Sequence, residues 1–254
     1  MMTPTHILRS ALTALALALL HSAQAVPTTF FGEDLNTSET TRLLSRPNSD
    51  AAAAQFLSQL VGVGTETFEG FSDGQSVPLA LSFPGSIGSI TATLSGSGVI
   101  DDLPGTGTAD GRYPISGTKY LQNVIASSGG GALTLNFSSA VAAFGFYGTD
   151  FGDFNGIAEL QLIDGGTTTV SIGNSVSVPG GSTLFFGVIN PSQPFTSIVF
   201  RNSNPSDEDQ FGFDNMTIGD VQQVQQTVPD GGATLLLLLG ALGALFGFKR
   251  RLAV

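Results

Sequence analysis

Apolar and polar residues alternate at every second position in three segments of the middle of the chain. These segments are Ile90–Leu94, Leu133–Ser138 and Ala158–Leu162. A period of two places every second side chain on the same face of a β-strand, so each segment predicts a half-buried strand. Val141–Tyr147 and Leu184–Ile189 are nearly continuous apolar runs, which predict more central strands.

Glycine-rich turn sequences separate the predicted strands. They occur at Ser127–Gly131, Asp164–Gly166 and Pro179–Gly181. The Asp-Gly-Gly sequence between two strand patterns predicts a β-hairpin. Many short strands at this spacing indicate an all-β fold, and we predict a jelly-roll-like β-sandwich over residues 65–220.

The last predicted strand contains a break in its alternation. Phe211 and Phe213 share one parity, whereas Met216 and Ile218 have the other. A one-residue β-bulge at Asp214-Asn215 would bring all four side chains to the same face.

The segment before the sandwich, residues 26–64, has a different character. Phe30–Ser49 is polar and irregular, and an apolar stripe at helical spacing follows within Asp50–Leu60. We predict one short helix there, with Asn48 or Ser49 as its N-cap and an end at Gly62. Residues 221–227 form an uncharged polar linker after the sandwich.

The N-terminus has the three parts of a secretory signal peptide. Arg9 precedes the apolar run Ser10–Leu20, and Ala23 and Ala25 form an Ala-x-Ala cleavage site. Residues 1–25 are therefore expected to be removed during export. The alternative is an N-terminal membrane anchor, but the run is shorter than the roughly 20 apolar residues that a spanning helix needs.

The C-terminus, residues 228–254, also consists of three parts in a defined order. A proline- and glycine-containing motif precedes Ala233–Phe248, which is uncharged and mostly apolar. Lys249, Arg250 and Arg251 follow, and the positive-inside rule keeps such a cluster in the cytoplasm. The pattern predicts a short membrane helix with a basic tail.

This tail closely resembles the PEP-CTERM class of sorting signals, in the variant whose motif begins Val-Pro-Asp-Ser-Gly. Val228, Pro229, Asp230 and Gly232 match that motif, and Gly231 stands where the variant has serine. The resemblance implies an exosortase-type membrane protease as a partner and a Gram-negative bacterium that makes extracellular polysaccharide. It also implies membrane anchoring before processing, and then a place at the cell surface or in the extracellular matrix. The alternative is a plain single-pass anchor.

The body of the chain also resembles the all-β ectodomains that often accompany this sorting tail. Thr67–Phe71, Phe144–Asp153 and Phe211–Ile218 carry that likeness. Those proteins mostly have no assigned activity, so the resemblance supports the location and the fold more than a function.

Composition excludes several kinds of active site. The chain has no cysteine, and its two histidines, His6 and His21, lie in the predicted signal peptide. The exported part therefore lacks the residues for thiol catalysis, a Ser-His-Asp triad or a His-ligated metal. The chain also has no tryptophan, which counts against a dedicated lectin.

The exported part is strongly acidic. Residues 26–228 contain five Lys and Arg against nineteen Asp and Glu, a net charge of −14. Such a surface repels nucleic acid and favours divalent cations or basic partners.

Two groups of carboxylates are candidate calcium ligands. Glu69 and Asp214 lie on the first and last predicted strands, where many carbohydrate-binding jelly rolls hold a structural calcium, and Asp150 and Asp153 flank a glycine in a loop. Calcium prefers several oxygen ligands. The alternatives are a hydrogen-bonded carboxylate pair and a turn held by Asp side chains. No cofactor other than Ca²⁺ is indicated, and Asp207–Asp209 has the pattern of a solvated acidic loop.

The sequence supports three hypotheses about function. The first is an exported, non-catalytic protein of the cell surface or matrix, associated with polysaccharide. The second is a calcium-dependent carbohydrate-binding module. The third, a carboxylate glycosidase, ranks last because no pair of carboxylates is identifiable at the separation that such an enzyme needs.

Overall fold

The structure is a computed structural model, and it describes residues 26–105, 107–126, 133–152, 157–173, 180–204 and 208–225. The predicted signal peptide with Ala23 and Ala25, the turn at 127–131, Asp153 and the sorting signal at 228–254 lie outside these residues. No helix within the described residues is long and apolar enough to span a lipid bilayer.

The described residues of the body form thirteen strands and one α-helix. The strands in chain order are β1 (Thr28–Asp34), β2 (Thr65–Glu66), β3 (Leu79–Pro84), β4 (Ser89–Ser95), β5 (Val99–Asp102), β6 (Lys119–Ala126), β7 (Thr134–Val141), β8 (Ala143–Thr149), β9 (Ala158–Ile163), β10 (Thr167–Ser171), β11 (Thr183–Ile189), β12 (Phe195–Asn202) and β13 (Glu208–Gly219). The helix, α1, spans Pro47–Leu57, and a short 3-10 helix spans Val221–Gln223.

The strands form two antiparallel sheets that pack face to face. The first sheet has the order β1-β11-β8-β13-β6-β5, with β2 paired to β13, and the second has the order β10-β9-β12-β7-β4-β3. The chain crosses between the sheets repeatedly from β7 to β13, as it does in a jelly roll. The predicted all-β sandwich with one short helix is confirmed.

The main core lies between the sheets and is rich in phenylalanine. The inward positions of the predicted strands are buried, as their alternation indicated. Phe146 stacks on Phe213 with ring centroids 4.9 Å apart, and Phe200 meets Phe146 edge to face at 5.3 Å. Such aromatic pairs stabilise a core beyond the area that they bury.

The bulge predicted in the last strand is confirmed. The pairing of β13 with β8 shifts register between Asp214 and Thr217, and Asn215 has a φ of 49°. Met216 and Ile218 consequently join Phe211 and Phe213 in the main core.

A second core covers the outer face of the first sheet. Gly145 of β8 and Gly187 of β11 are paired in register and leave a flat area without side chains. Phe56 of α1 lies on this area, fully buried, and also contacts Phe185 at a centroid distance of 5.6 Å. The absence of two side chains from the sheet therefore allows the helix to pack directly against its backbone.

The predicted segment at 26–64 is not separate from the sandwich, because it begins with β1. β1 pairs with β11 along its whole length, which supplies hydrogen bonds that a local pattern does not reveal. The helix begins at Pro47, earlier than predicted, and Asn48 and Ser49 lie inside it. The predicted linker at 221–227 is also shorter, since Val221–Gln223 is helical and Gln223 and Val224 are buried.

The body begins and ends at the same end of the first sheet. Thr28 is paired with Ile189, Ile189 with Ala143, and Ala143 with Gly219. These residues form one row across four neighbouring strands, so Thr28 and Gly219 lie roughly 14 Å apart at a strand spacing of about 4.8 Å. Both termini of the body therefore leave from one end of the molecule.

We predict that Gly145→Ala destabilises the body by about 1–3 kcal/mol, the usual cost of overpacking. A Cβ atom at Gly145 would lie 2.7 Å from Cε1 of Phe56 and 3.0 Å from Cζ of Phe185. Urea unfolding of residues 26–225, which contain both cores, followed by circular dichroism, measures the change.

The control is Gly70→Ala, because a Cβ atom at Gly70 meets no atom within 4 Å. Phe56→Leu in the Gly145→Ala background should cost less than the sum of the two single changes, since the smaller side chain relieves the clash. Strict additivity would show that the helix does not pack on these glycines.

Candidate functional site

The candidate calcium ligands meet one loop in the structure. This loop joins β5 to β6 over residues 103–118 and is called the covering loop here, because Tyr113 and Ile115 contribute to the second core. Glu69, Asp214 and Asp150 each bind a different part of it or the residue that follows it. Glu69 and Asp214 therefore bind the same loop, and their joint role as calcium ligands stays a prediction.

Asp214 fixes the middle of the covering loop. Its Oδ2 accepts hydrogen bonds from the backbone N–H groups of Ile115 at 2.7 Å and Ser116 at 3.1 Å, and its Oδ1 accepts one from Asn215 at 2.6 Å. Ser116 Oγ lies 2.6 Å from Asn215 Oδ1, to which it donates. The bulge at Asp214-Asn215 thus aims two side chains at the loop, as bulges commonly re-aim side chains.

Glu69 fixes the end of the same loop. Its Oε1 accepts from the backbone N–H groups of Thr118 at 2.8 Å and Lys119 at 2.7 Å. Gly117 has a φ of 62°, and a Cβ atom there would lie 2.4 Å from the Glu69 carboxyl group. Glycine is therefore required at this position both for the backbone conformation and for the close approach of Glu69.

Burial raises the pKa of Asp214 to about 7. The hydrogen bonds from Ser116, Asn215 and Ile115 lower it, and the negative charge of Glu69 raises it further. Burial disfavours the charged form of a carboxylate, so this group takes up a proton near neutral pH.

Asp150 makes an ion pair instead of joining the other two carboxylates. Its Oδ2 lies 3.0 Å from Nη1 of Arg112 in the covering loop, and both side chains are largely buried. Its Oδ1 accepts from the backbone N–H of Gly181 at 3.3 Å. Asp153, the other candidate of this pair, lies outside the described residues.

The described residues contain no group of three or more His, Cys, Asp or Glu that could hold a metal ion. The oxygens of Glu69 and Asp214 already accept hydrogen bonds from the covering loop, which is the alternative role weighed for them above. Calcium binding by these residues stays a hypothesis from the sequence, which a calcium titration tests.

Several carboxylates have structural roles that the sequence does not indicate. Asp34 of β1 accepts from the backbone N–H groups of Asn48 at 3.1 Å and Ser49 at 2.8 Å, and also from the Ser49 hydroxyl. It thereby caps α1, where Arg46 at the N-cap position has no capping bond. Burial alone would raise the pKa of Asp34, but the hydrogen bonds from Ser49 and Asn48 hold it below its usual value.

The expectation of a solvated loop at 207–209 is wrong for Asp209. Its side chain is buried, and its Oδ2 accepts from the backbone N–H of Gly152 at 2.8 Å. Gly152 and Asp209 are 57 positions apart in the sequence, so no local pattern could predict this contact.

The outer face of the second sheet has a different chemistry. Its outward positions remain exposed or half-buried, and they are mostly serine, threonine, asparagine and glutamine. We call this surface the polar face and define it by Thr91, Thr93, Ser95, Thr134, Asn136, Ser138, Gln161, Thr167, Thr169, Ser171 and Ser197.

A cavity of about 540 Å³ opens beside the edge of the polar face. Its walls are formed by Val26, Pro27, Gly166, Thr167, Thr168, Ser192 and Gln193. Thr168 Oγ1 donates to Gln193 Oε1 at 3.3 Å, which links β10 to the loop before β12. None of these seven described residues has a charged side chain.

Residues 227–252 match the family model described as the VPDSG-CTERM motif, a variant of the PEP-CTERM-like sorting signals. The predicted resemblance of the C-terminus to this class of sorting signals is confirmed. A protein that carries it is exported and directed to the surface. No curated protein matches the chain.

Comparison with solved structures returns β-sandwich modules at low similarity. The K2 cleaved adhesin domain of Lys-gingipain is 13% identical, with 61% of this chain and 97% of that chain covered, at a TM-score of 0.35. A mutant of a family 29 carbohydrate-binding module is 12% identical, with 80% and 100% covered, at a TM-score of 0.26. A family 61 module in complex with β-1,4-galactotriose is 11% identical, with 50% and 86% covered, at 0.23. These scores carry no conclusion about function.

We predict that the free energy of unfolding contributed by Asp214 falls as the pH rises from about 4 to 7. The group titrates near 3.8 when unfolded and near 7 when folded, so the folded state binds the extra proton in this range. The slope should reach at most about 1.4 kcal/mol per pH unit and should be absent in Asp214→Asn. Urea midpoints measured at intervals of half a pH unit test this.

Asp34→Asn is the control for the pH experiment. The pKa of Asp34 is lowered in the folded state, so its contribution is present above its usual pKa of 3.8 and is lost only as the pH falls below it. Asp34→Asn should therefore leave the slope between pH 4 and 7 intact. An equal slope in wild type and Asp214→Asn would contradict the assignment to Asp214.

We predict that Ca²⁺ leaves the melting temperature of the body unchanged, since the oxygens of Glu69 and Asp214 already accept hydrogen bonds. A specific ion at about 100 times its Kd would instead stabilise the body by roughly 2.7 kcal/mol. A shift on adding Ca²⁺ that disappears in Glu69→Gln, but not in the distant Glu159→Gln, would establish the calcium site and contradict this expectation.

Proposed function

We propose that the protein is an exported, non-catalytic component of the cell surface or extracellular matrix, processed by an exosortase-type membrane protease. A secretory signal peptide at residues 1–25 would deliver it across the inner membrane. The apolar segment at 233–248 would hold it in that membrane until the tail is removed.

The sorting signal is the observation that carries this proposal. Residues 227–252 match the VPDSG-CTERM motif, and the order of motif, apolar segment and basic cluster is complete. A short apolar segment followed by Lys249–Arg251 favours an orientation with the body outside the cytoplasm. Extracellular polysaccharide is accordingly the partner that we propose for the body.

The chemistry of the body supports a non-catalytic role. The exported part contains no histidine or cysteine, and the buried carboxylates Asp34, Asp209 and Asp214 accept hydrogen bonds from backbone N–H groups. A glycosidase needs two carboxyl groups that face a substrate at a defined separation. Carboxylates that accept hydrogen bonds from the protein's own backbone favour a structural role instead.

We expect the double variant Pro229→Ala, Asp230→Ala to remain uncut in a Gram-negative host that carries an exosortase. Wild-type protein should lose the residues that follow the motif and reach the surface fraction, because the protease must recognise the motif to cut. Intact mass of the purified protein, together with the N-terminal sequence, measures both processing events; the N-terminus should begin at Val26.

The matched control is Gln225→Ala, Gln226→Ala, which alters the same region outside the motif and should be processed normally. Retention of the whole tail in wild type would refute processing. Release of reducing ends from any polysaccharide by the purified protein would refute the non-catalytic assignment.

A further inference from the structure

The two sheets differ in how their outer faces are covered. The first sheet is covered by α1 and the covering loop, which pack on it to form the second core. Within the described residues, the polar face of the second sheet lies open: Thr93 and Asn136, near its centre, are exposed. A folded protein commonly leaves such a face to water or to a partner, so its chemistry decides what it can bind.

The polar face is nearly free of charge on a body that is otherwise acidic. Across the outward positions of its strands, the charged residues are Glu159 and Arg201, which lie opposite each other in register and balance. The exported part as a whole carries a net charge of −14. The surrounding charge would repel anionic polymers, whereas the face itself offers hydroxyl and amide groups to an uncharged one.

One row of side chains crosses the face from strand to strand. Thr93 is paired with Asn136, Asn136 with Ser197, Ser197 with Ile163, and Ile163 with Thr167. Five strands contribute, so the row is about 19 Å long at a strand spacing of about 4.8 Å. This is the shape of a site for an extended chain that lies across the strands.

Some side chains of the row make hydrogen bonds within the protein and others do not. Ser197 Oγ donates to the Leu135 carbonyl at 3.0 Å and is engaged with the protein. Thr93, Asn136 and Thr167 make no side-chain hydrogen bond within the described part of the chain. Their donors and acceptors are therefore available to a ligand rich in hydroxyl groups.

The cavity extends this row. Thr167 ends the row and also forms part of the cavity wall, beside Thr168 and Gln193. A volume of about 540 Å³ is in the range of pockets that bind small molecules. Row and cavity therefore meet at Thr167, and the residues that form them have no charged side chain.

We propose that this row and cavity bind an uncharged polysaccharide, with the chain along Thr93–Asn136–Thr167 and a terminal or branching sugar in the cavity. The inference rests on the proposed function, which places the protein beside extracellular polysaccharide. A hydrogen bond to a sugar hydroxyl replaces one to water and gains little by itself. Binding therefore increases with the length of chain in contact, and long polymers bind better than short oligosaccharides.

The test is affinity electrophoresis of the full chain in mild detergent, in native gels that contain dextran, mannan or a soluble β-1,3-glucan, with alginate as the anionic comparison. We expect at least one neutral polymer to retard the wild-type protein and alginate not to. Thr93→Lys and Asn136→Lys should weaken retardation at least tenfold, because each places a long charged side chain in the row. Gln193→Ala should weaken it less.

Thr37→Lys is the matched control, since Thr37 is exposed and lies in the loop after β1, away from the polar face. It adds the same charge and should leave retardation unchanged. Melting curves should be the same for wild type and the three lysine variants, because Thr37, Thr93 and Asn136 are exposed.

Three results would overturn the inference. Wild-type protein that no neutral polymer retards has no such site, even where tail processing supports the proposed function. Retardation that Thr93→Lys and Asn136→Lys leave intact places the ligand elsewhere. Wild-type self-association in sedimentation runs that the same two variants abolish would identify the face as an interface between copies of this chain.

Discussion

The shortage of basic residues is the constraint on which much of this structure depends. Nineteen carboxylates share the exported part with five Lys and Arg, so few acids can be neutralised by an ion pair. Among the buried acids of the described residues, Asp150 pairs with Arg112, and the other three are bound by backbone N–H groups instead. Asp34 caps α1, Asp209 binds the turn at Gly152, and Asp214 binds the covering loop. Each contact gives an acceptor to backbone N–H groups that would otherwise be buried without one. The acidic residues thereby hold the loops and the helix against the sheets.

This arrangement makes the two faces of the sandwich unlike. The fastened loop and the helix cover the first sheet, where Gly145 and Gly187 let Phe56 approach the backbone. The second sheet has no such cover in the described residues, and its outward positions are polar rather than apolar. Carboxylates are concentrated in the loops and around the first sheet, which leaves the second sheet with an almost neutral surface. The distribution of the charged residues therefore accounts for one face that is covered and one face that is open.

Much of the fold could be predicted from local pattern, because strand parity and bulges are local. The break between Phe213 and Met216 predicted the bulge, and the Asp-Gly-Gly turn predicted the β9-β10 hairpin. Contacts between distant positions could not be predicted this way. Asp214 and Ile115 are 99 positions apart, and β1 is defined by its pairing with β11 rather than by its own alternation. Glu69, Asp150 and Asp214 were predicted from the sequence only as candidate calcium ligands, and their hydrogen-bond donors belong to loops that no spacing rule connects to them.

The position of the chain ends has a mechanical consequence. A tether that follows Val224 would pull on β13 through the 3-10 helix, and β13 is a central strand with β8 on one side and β6 on the other. A pull along this strand loads the hydrogen bonds on both sides together in shear, instead of peeling an edge strand away one bond at a time. Asp220 also holds Ser86, and Gln223 holds Gly62 and Pro84, so part of the load passes to the second sheet. A tether at this end would therefore load a central strand of the first sheet rather than an edge strand.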